Sequence, residues 1–454
     1  MGNLTTFLPV FAMIGYDKPA FSATISIGTP SFVSQKTAFF ARKTMFFGKS
    51  GGRFGENKYL CNVNKLKATK TMKKVMMTLL ALMMVTMAMA QGDKANDVMK
   101  TLRLANDYFM AKYADPTLPT NVNRIRPSSL WTRAVYYEGL MALNDIDPQE
   151  RYIDYTDRWA NFHEWTPRNG VKTNDADDQC CGQTYLERYF QSGGEEKIAK
   201  IIENLDNQMQ TPNTHKPEAE GSLYGWWTWI DAIQMAMPLY MQVYQVTGDR
   251  KYADHAMKMY RWSRNTLAGG LFNEKEGLWW RDKDYVAPYQ TPDGKNCYWS
   301  RGNGWVYAAL VRCMNLLSPK DKYYKELKKD FLLMSEALKN CQRPEDGLWN
   351  PSLVSYADYG GKEMSGTALF LYGMAWGIQK GYLKANVYRP VCDKAWEGLV
   401  RDCVHPDGFL GWAQGTGKDP SAGQPLSYTK VPDFEDYGTG CFLLGGVEYW
   451  KLVK

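Results

Sequence analysis

Asp231 follows an aromatic run (Trp226, Trp227, Trp229, Ile230) and precedes the apolar stretch AIQMAMPLY. A carboxyl group walled by indole rings is desolvated, which favours its protonated form and suits a general acid. The position also reads as a first-turn Asp that complements a helix dipole. Asp177 and Asp178, in NDADDQCCGQTYL (174–186), are open to both readings, and one of the pair can simply cap the helix that follows. Arg301 sits among Trp299, Gly302, Asn303, Gly304 and Trp305. Its planar fork beside aromatic faces fits a carboxylate on a sugar ring, or else it satisfies loop carbonyls. With 16 Trp in the chain, several of them beside Gly and Asp, a sugar-binding platform is the ligand chemistry to expect.

These residues need elements to hold them, and the spacing of apolar positions supplies helices. Helical periodicity recurs near 95–113, 127–143, 149–164, 178–191, 195–209, 229–247, 249–265, 302–317, 320–341, 364–380, 386–402 and 438–451. Short polar turns such as QSGGEEK and TGDRKY leave the even-numbered helices. Longer aromatic loops leave several odd ones, and three repeat one phrase: EKEGLWW (274–280), PEDGLWN (344–350) and HPDGFLGW (405–412). Acid-Gly-apolar-Trp predicts a tight turn feeding a short strand.

The even helices are apolar nearly all round and the odd ones amphipathic, as in KELKKDFLLMSEAL. A helix apolar on every side is buried, and an amphipathic one covers it from outside. A two-helix unit repeated about six times therefore predicts an all-α fold, an (α/α)6 barrel of six inner and six outer helices with short β-hairpin loops at its mouth. Two stacked all-α domains are the alternative. In the barrel the inner N-termini open at one end, where unpaired N–H groups and dipole charge favour an anionic ligand. The polar clusters sit at those starts, from RIRPSSLWTRA (124–134, with Trp131) to FEDYGTGC (434–441).

Charge restricts the partners. Residues 1–74 hold twelve Lys/Arg against Asp17 and Glu56, so the formal +7 of the whole chain leaves the rest net acidic. Nucleic acid and anionic lipid are thereby disfavoured as partners of the main body. From Met72 the chain reads MKKVMMTLLALMMVTMAMAQG, a basic start, an apolar core and Ala88-Met89-Ala90 before Gln91. That pattern predicts a signal peptide over 72–90 and export to the periplasm or medium, with no membrane anchor after cleavage. Residues 1–71 then read as a mis-assigned upstream extension, a long leader or an extra small domain, and 91–454 as one domain. Cys residues lack metal-like spacing and only four His occur, so no metal or cofactor is expected.

WSRGNGW (299–305), ahead of an apolar helix, resembles the hallmark of unsaturated glucuronyl and rhamnogalacturonyl hydrolases, glycoside hydrolase families 88 and 105. WIDAIQMAMPLY (229–240), SGTALFLYGMAWGI (365–378) and DYGTGCFLLGGVEY (436–449) resemble matching family segments in order, and the paired Asp before the fourth helix favours family 105. The resemblance implies an (α/α)6 barrel acting on lyase-generated oligosaccharides that end in a 4,5-unsaturated uronic acid. It implies hydration of the C4=C5 bond, with Asp231 as general acid/base, Asp178 as second carboxylate and Asp177 beside it. It further implies that Arg301 and Trp305 hold the uronate, within a set of substrate contacts that takes in Trp299, Asn303, Trp229, Gln183 and Trp131. Many members carry a substrate-contacting His in the loop after the seventh helix, but LFNEKEGLWWRDKDY (271–285) has none, so beside the usual rhamnogalacturonan disaccharide, rhamnose-linked unsaturated uronates from ulvan and arabinogalactan-type chains are equally open as substrates.

Two other classes compete. A polysaccharide lyase or ordinary inverting glycosidase could use the same toroid, and a non-catalytic sugar binder would keep the Trp platform without a competent acid. Monomer and homodimer are both open.

Overall fold

Short polar turns reverse the chain, so an apolar helix and its amphipathic successor lie side by side, and the pairs close into a ring. The computed structural model describes residues 72, 74–79, 92–210 and 226–454. The chain divides into two units, Met1–Met76 and Met77–Lys454. Residues 1–71 lie outside the described residues, as does most of 72–90; residues 72 and 74–79 are helical with exposed side chains.

Among the described residues of the second unit, twelve helices of at least three turns alternate in role. The inner set is α2 (Trp131–Ile146), α4 (Cys181–Ser192), α6 (Asp231–Thr247), α8 (Ser300–Leu316), α10 (Met364–Gln379) and α12 (Asp436–Val453). The outer set is α1 (92–112), α3 (Glu150–Phe162), α5 (Ala199–Gln210), α7 (Arg250–Asn265), α9 (Lys322–Asn340) and α11 (Ala385–Asp402). Each inner helix packs on the next, and α12 returns to α2 to close the circle. Every residue of α10 from Met364 to Gly377 is buried, whereas α9 buries one stripe through Tyr324, Leu327, Phe331, Met334 and Leu338. This is the all-α (α/α)6 barrel expected from the sequence.

The ring closes where side chains are absent. A Cβ on Gly440 of α12 would strike the Val135 carbonyl of α2, and one on Gly139 of α2 would strike the backbone of Gly440, so the two helices touch backbone to backbone. Inside α6, Pro238 has no N–H to offer the Gln234 carbonyl four residues back. Gln183 of α4 fills the gap, its Nε2 donating to that oxygen at 2.8 Å.

The three repeated phrases form one device. Gly277, Gly347 and Gly408 adopt φ of +67°, +85° and +96°, which glycine reaches without strain. Each also presses on a backbone carbonyl of the next outer helix: Gly277 on Leu333 of α9, Gly347 on Lys394 of α11, Gly408 on Leu104 of α1. The first phrase completes a hairpin, β3 (Phe272–Asn273) with β4 (Leu278–Trp279). The others make single bridges, Trp349 to Glu363 and Val404 to Leu410. A second hairpin, β1 (Thr120–Asn121) with β2 (Ile125–Arg126), precedes α2. None of the described helices is long and apolar enough to cross a membrane.

Gly440→Ala is expected to lower stability by about 2–3 kcal/mol, because the methyl group must push α12 off α2; a shift of the urea midpoint at unchanged slope measures it, and an unshifted midpoint contradicts the backbone contact.

Candidate active site

Asp231 is the first residue of α6, and its surroundings come from a segment fifty residues away. The strand pairing of β4 continues into 280–282, which runs against the entry to α6. Ile230 N–H donates to the Arg281 carbonyl at 2.9 Å, and Trp229 bridges Asp282. This zipper delivers the Arg281 side chain to the site. Its Nε lies 3.3 Å from Asp231 Oδ2 and its Nη1 2.6 Å from Asp282 Oδ2. Asp231 is 8% exposed. Burial raises its pKa above the ordinary carboxylate value, while the Arg281 and Arg301 charges pull it back. The indole wall expected from the sequence is only partly there. Trp226 packs on Trp262 of α7 and Trp227 lies beside Tyr240, so burial within the ring, with half-buried Trp229 adjacent, desolvates the acid.

The paired aspartates take different roles. Asp175 caps the turn Ala176–Gln179 through Asp177 N–H at 2.9 Å, placing Asp177 and Asp178 on successive positions of a helical turn. Successive side chains on such a turn point about 100° apart, which separates the two carboxyl groups. Asp178, expected as the second carboxylate of the site, turns into its own loop. Its oxygens accept from Thr173 Oγ1 at 2.6 Å, Asn169 Nδ2 at 2.9 Å and Arg168 Nη1 at 3.3 Å. Half-buried Asp177 is the member that senses the site. Burial pushes its carboxyl well above the usual range, the Asp175 and Asp231 charges raise it further, and Arg281 opposes them.

Arg301 also departs from expectation. Its Nη1 donates to the Gln414 carbonyl at 2.8 Å and its Nη2 to the Gly415 carbonyl at 2.7 Å, so both arms hold a loop. The guanidinium is 1% exposed, 4.6 Å from the Trp299 ring centre and 4.9 Å from that of Tyr437. Trp299 supports the same loop, its Nε1 donating to Gln414 Oε1 at 2.8 Å. Asn303 clasps the hairpin, its Oδ1 accepting from Trp279 N–H at 2.8 Å and its Nδ2 donating to the Trp279 carbonyl at 3.0 Å. Trp305 is fully buried one turn inside, edge-on to Trp131 at 6.0 Å. Gln183, besides closing the Pro238 gap, accepts from Arg312 Nε at 3.0 Å. Trp299, Asn303, Trp305, Gln183 and Arg301 thus lie behind the site as supports. Trp131, half-buried at the start of α2 and tilted on Tyr437 at 5.5 Å, stands at the mouth with Trp229, Asp177 and Asp231.

Sequence reasoning missed Arg281 and Asp282. They follow the phrase EKEGLWW directly, and their only signal was that this hairpin had to lie against some inner-helix start. It also passed over Asp436, the first residue of α12, which is buried with Arg133 Nε at 3.5 Å and Thr120 Oγ1 at 3.1 Å. Among the described residues, no group of three or more His, Cys, Asp or Glu side chains could hold a metal ion. The arrangement offers a buried, raised carboxylic acid with a guanidinium on it, and a second raised carboxyl, Asp177, that feels the charges of both. Such a centre can protonate an electron-rich carbon and draw a proton from water.

Comparison with known proteins agrees with the ring. Residues 101–453 match the model of Glycosyl Hydrolase Family 88. An unsaturated 3S-rhamnoglycuronyl hydrolase of Formosa agariphila is 31% identical over 344 residues, 71% of this chain and 85% of the relative. A structure of a glycosyl hydrolase family 88 protein from Bacteroides vulgatus superposes with a TM-score of 0.69 at 29% identity, over 79% of this chain and 99% of its own. Another, described as a polysaccharide lyase, gives a TM-score of 0.68 at 29% identity, over 79% and 98%. The chain belongs to glycosyl hydrolase family 88.

Proposed function

We propose that this protein removes a terminal 4,5-unsaturated uronic acid from lyase-generated oligosaccharides by hydrating the C4=C5 bond. The observation that carries the reading is Asp231, buried at the first turn of α6 with its pKa raised and in contact with Arg281. The double bond is a vinyl ether, because C5 also carries the ring oxygen, so C4 is the nucleophilic carbon. Asp231 gives its proton to C4, and the cation left at C5 is stabilised by the ring oxygen. Water adds at C5 and returns a proton to Asp231, with the Asp177 carboxyl group as the partner that orients the water. The hemiketal at C5 opens to a ketone, C1 becomes a hemiacetal, and its collapse to an aldehyde expels the aglycone alcohol. One water is consumed and the acid is regenerated.

The similarity to a rhamnoglycuronyl hydrolase supports a rhamnose-linked substrate, of rhamnogalacturonan or ulvan type. The paired aspartates before α4 support grouping it with the family 105 type of enzyme, and the Met72–Ala90 pattern supports export. The similarity to a polysaccharide lyase supports a second reading. Elimination would call for a Tyr or His base, yet His163, His255 and His405 lie against Ser128, Tyr240 and Tyr428, away from Asp231. The carboxyl chemistry around Arg281 favours hydration.

With unsaturated uronate oligosaccharides, the ultraviolet absorbance of the conjugated uronate is expected to fall; a rise marks lyase action, and no change across a substrate panel marks a binder. Asp231→Asn should reduce kcat about 10²–10⁴-fold with the fold intact, and a fully active variant removes its role. Because Asp231 must carry the proton, kcat/KM is expected to fall as pH rises through its raised pKa, whereas a rate rising across that range would assign it as a base alone. Asp178→Asn should lower thermal stability while sparing kcat more than Asp177→Asn does; the reverse order in both measurements returns the second-carboxylate role to Asp178.

A further inference from the structure

A uronate entering this ring brings a carboxylate that needs a cation, and the arginine expected to meet it has both Nη atoms engaged and its Nε buried. Both Nη atoms of Arg301 hold the carbonyls of Gln414 and Gly415 between two aromatic rings. Arg133 is buried on the Pro116 carbonyl, Thr120 and Asp436. Arg312 pairs with Glu187 at 2.8 Å and Glu138 at 3.7 Å, in the half of the ring away from the inner N-termini. Arg168 is more open but is joined to Asp178.

Arg281 alone among these touches Asp231. Its Nε is on Asp231 and its Nη1 on Asp282, while Nη2 has no hydrogen bond to a described residue, and 20% of the side chain is exposed. The backbone beneath it is fixed by the Ile230 N–H and by the bridge between Trp229 and Asp282. The guanidinium is therefore preorganised, with one edge on the acid and another edge open.

We infer that Arg281 receives the carboxylate of the substrate's uronate and, through the same guanidinium, positions Asp231 against the neighbouring carbon. The inference rests on the unsaturated-uronate reading above. Its geometry follows from the ligand: the carboxyl carbon is bonded to C5, and C5 to C4, so the carbon to be protonated lies two bonds from the group that Arg281 binds. A planar fork holding a carboxylate on one edge and Asp231 on another brings acid and alkene together. The groups facing Arg281 are Asp177, Asp231 and Asp282, and Arg301 also acts on Asp231. A bound carboxylate shares the Arg281 charge, so Asp231 holds its proton more firmly once the alkene is in place.

The test compares an unsaturated uronate disaccharide with its methyl ester, on wild type, Arg281→Ala, Arg281→Lys and Arg301→Ala, with circular dichroism confirming that each folds. Wild type should favour the free acid by about 10–100-fold in kcat/KM. Arg281→Ala should erase that preference, mainly by raising KM for the acid, and move the alkaline limb of the free enzyme to higher pH. Arg281→Lys should restore part of the preference. Arg301→Ala should keep the preference while lowering thermal stability through the 414–415 loop. If Arg281→Ala or Arg281→Lys folds, works and retains the full preference for the free acid, or if only Arg301→Ala loses it, the inference is overturned alone. A wild type that leaves every unsaturated uronate unchanged removes the proposed function and the inference together.

Discussion

Six helices that run parallel in a closed ring must bring all their N-termini to one end, and everything functional here follows from that constraint. Each start exposes N–H groups that lack intrahelical partners, and four of the six carry an acid there: Asp177 ahead of α4, Asp231 on α6, Glu363 capping α10, Asp436 on α12. Several acids are thus crowded onto a small buried rim. Loss of water raises Asp177, Asp231 and Asp436 alike, and neighbouring carboxylates add to the rise of Asp177. The fold creates an acidic centre by its geometry, and hairpin residues decide which acid meets a counter-charge.

That division of labour explains what the sequence could tell. Helix number, order and inner or outer role were legible because each is written locally, in the all-apolar run of Met364–Gly377 or the single stripe of α9. Asp231 was legible because it stands at a helix start after an aromatic run. The fates of Arg301, Asn303 and Trp299 were not, since their partners at 279 and 414–415 lie elsewhere in sequence and engage both Nη atoms of Arg301, the Asn303 amide and the Trp299 indole. Arg281 was invisible for the converse reason: nothing near it marks a site, and only the pairing of its segment with 229–230 brings it there. The Asp177–Asp178 pair shows the limit of motif reading, because neighbours on one turn face different directions and the motif alone does not say which faces inward.

Gln183 gives a second example. An amide near a predicted site reads as a sugar contact, yet its donor goes to the carbonyl orphaned by Pro238 and its acceptor to Arg312. Proline placed inside a buried helix needs such a partner, so the two residues form one structural unit although 55 positions separate them.

The three glycine phrases have a consequence for how the molecule can be cut. Each loop is seated on the outer helix of the following pair, and the last is seated on the first, with Gly408 resting on Leu104 of α1. An open solenoid can lose a terminal repeat and keep its neighbours, because each unit leans only on the next. Here the last of the three seats crosses from the end of the chain back to α1, so removal of α1 would loosen the loop at 405–412, some three hundred residues downstream. The ring is a circular chain of dependencies, joined by contact where no peptide bond joins it.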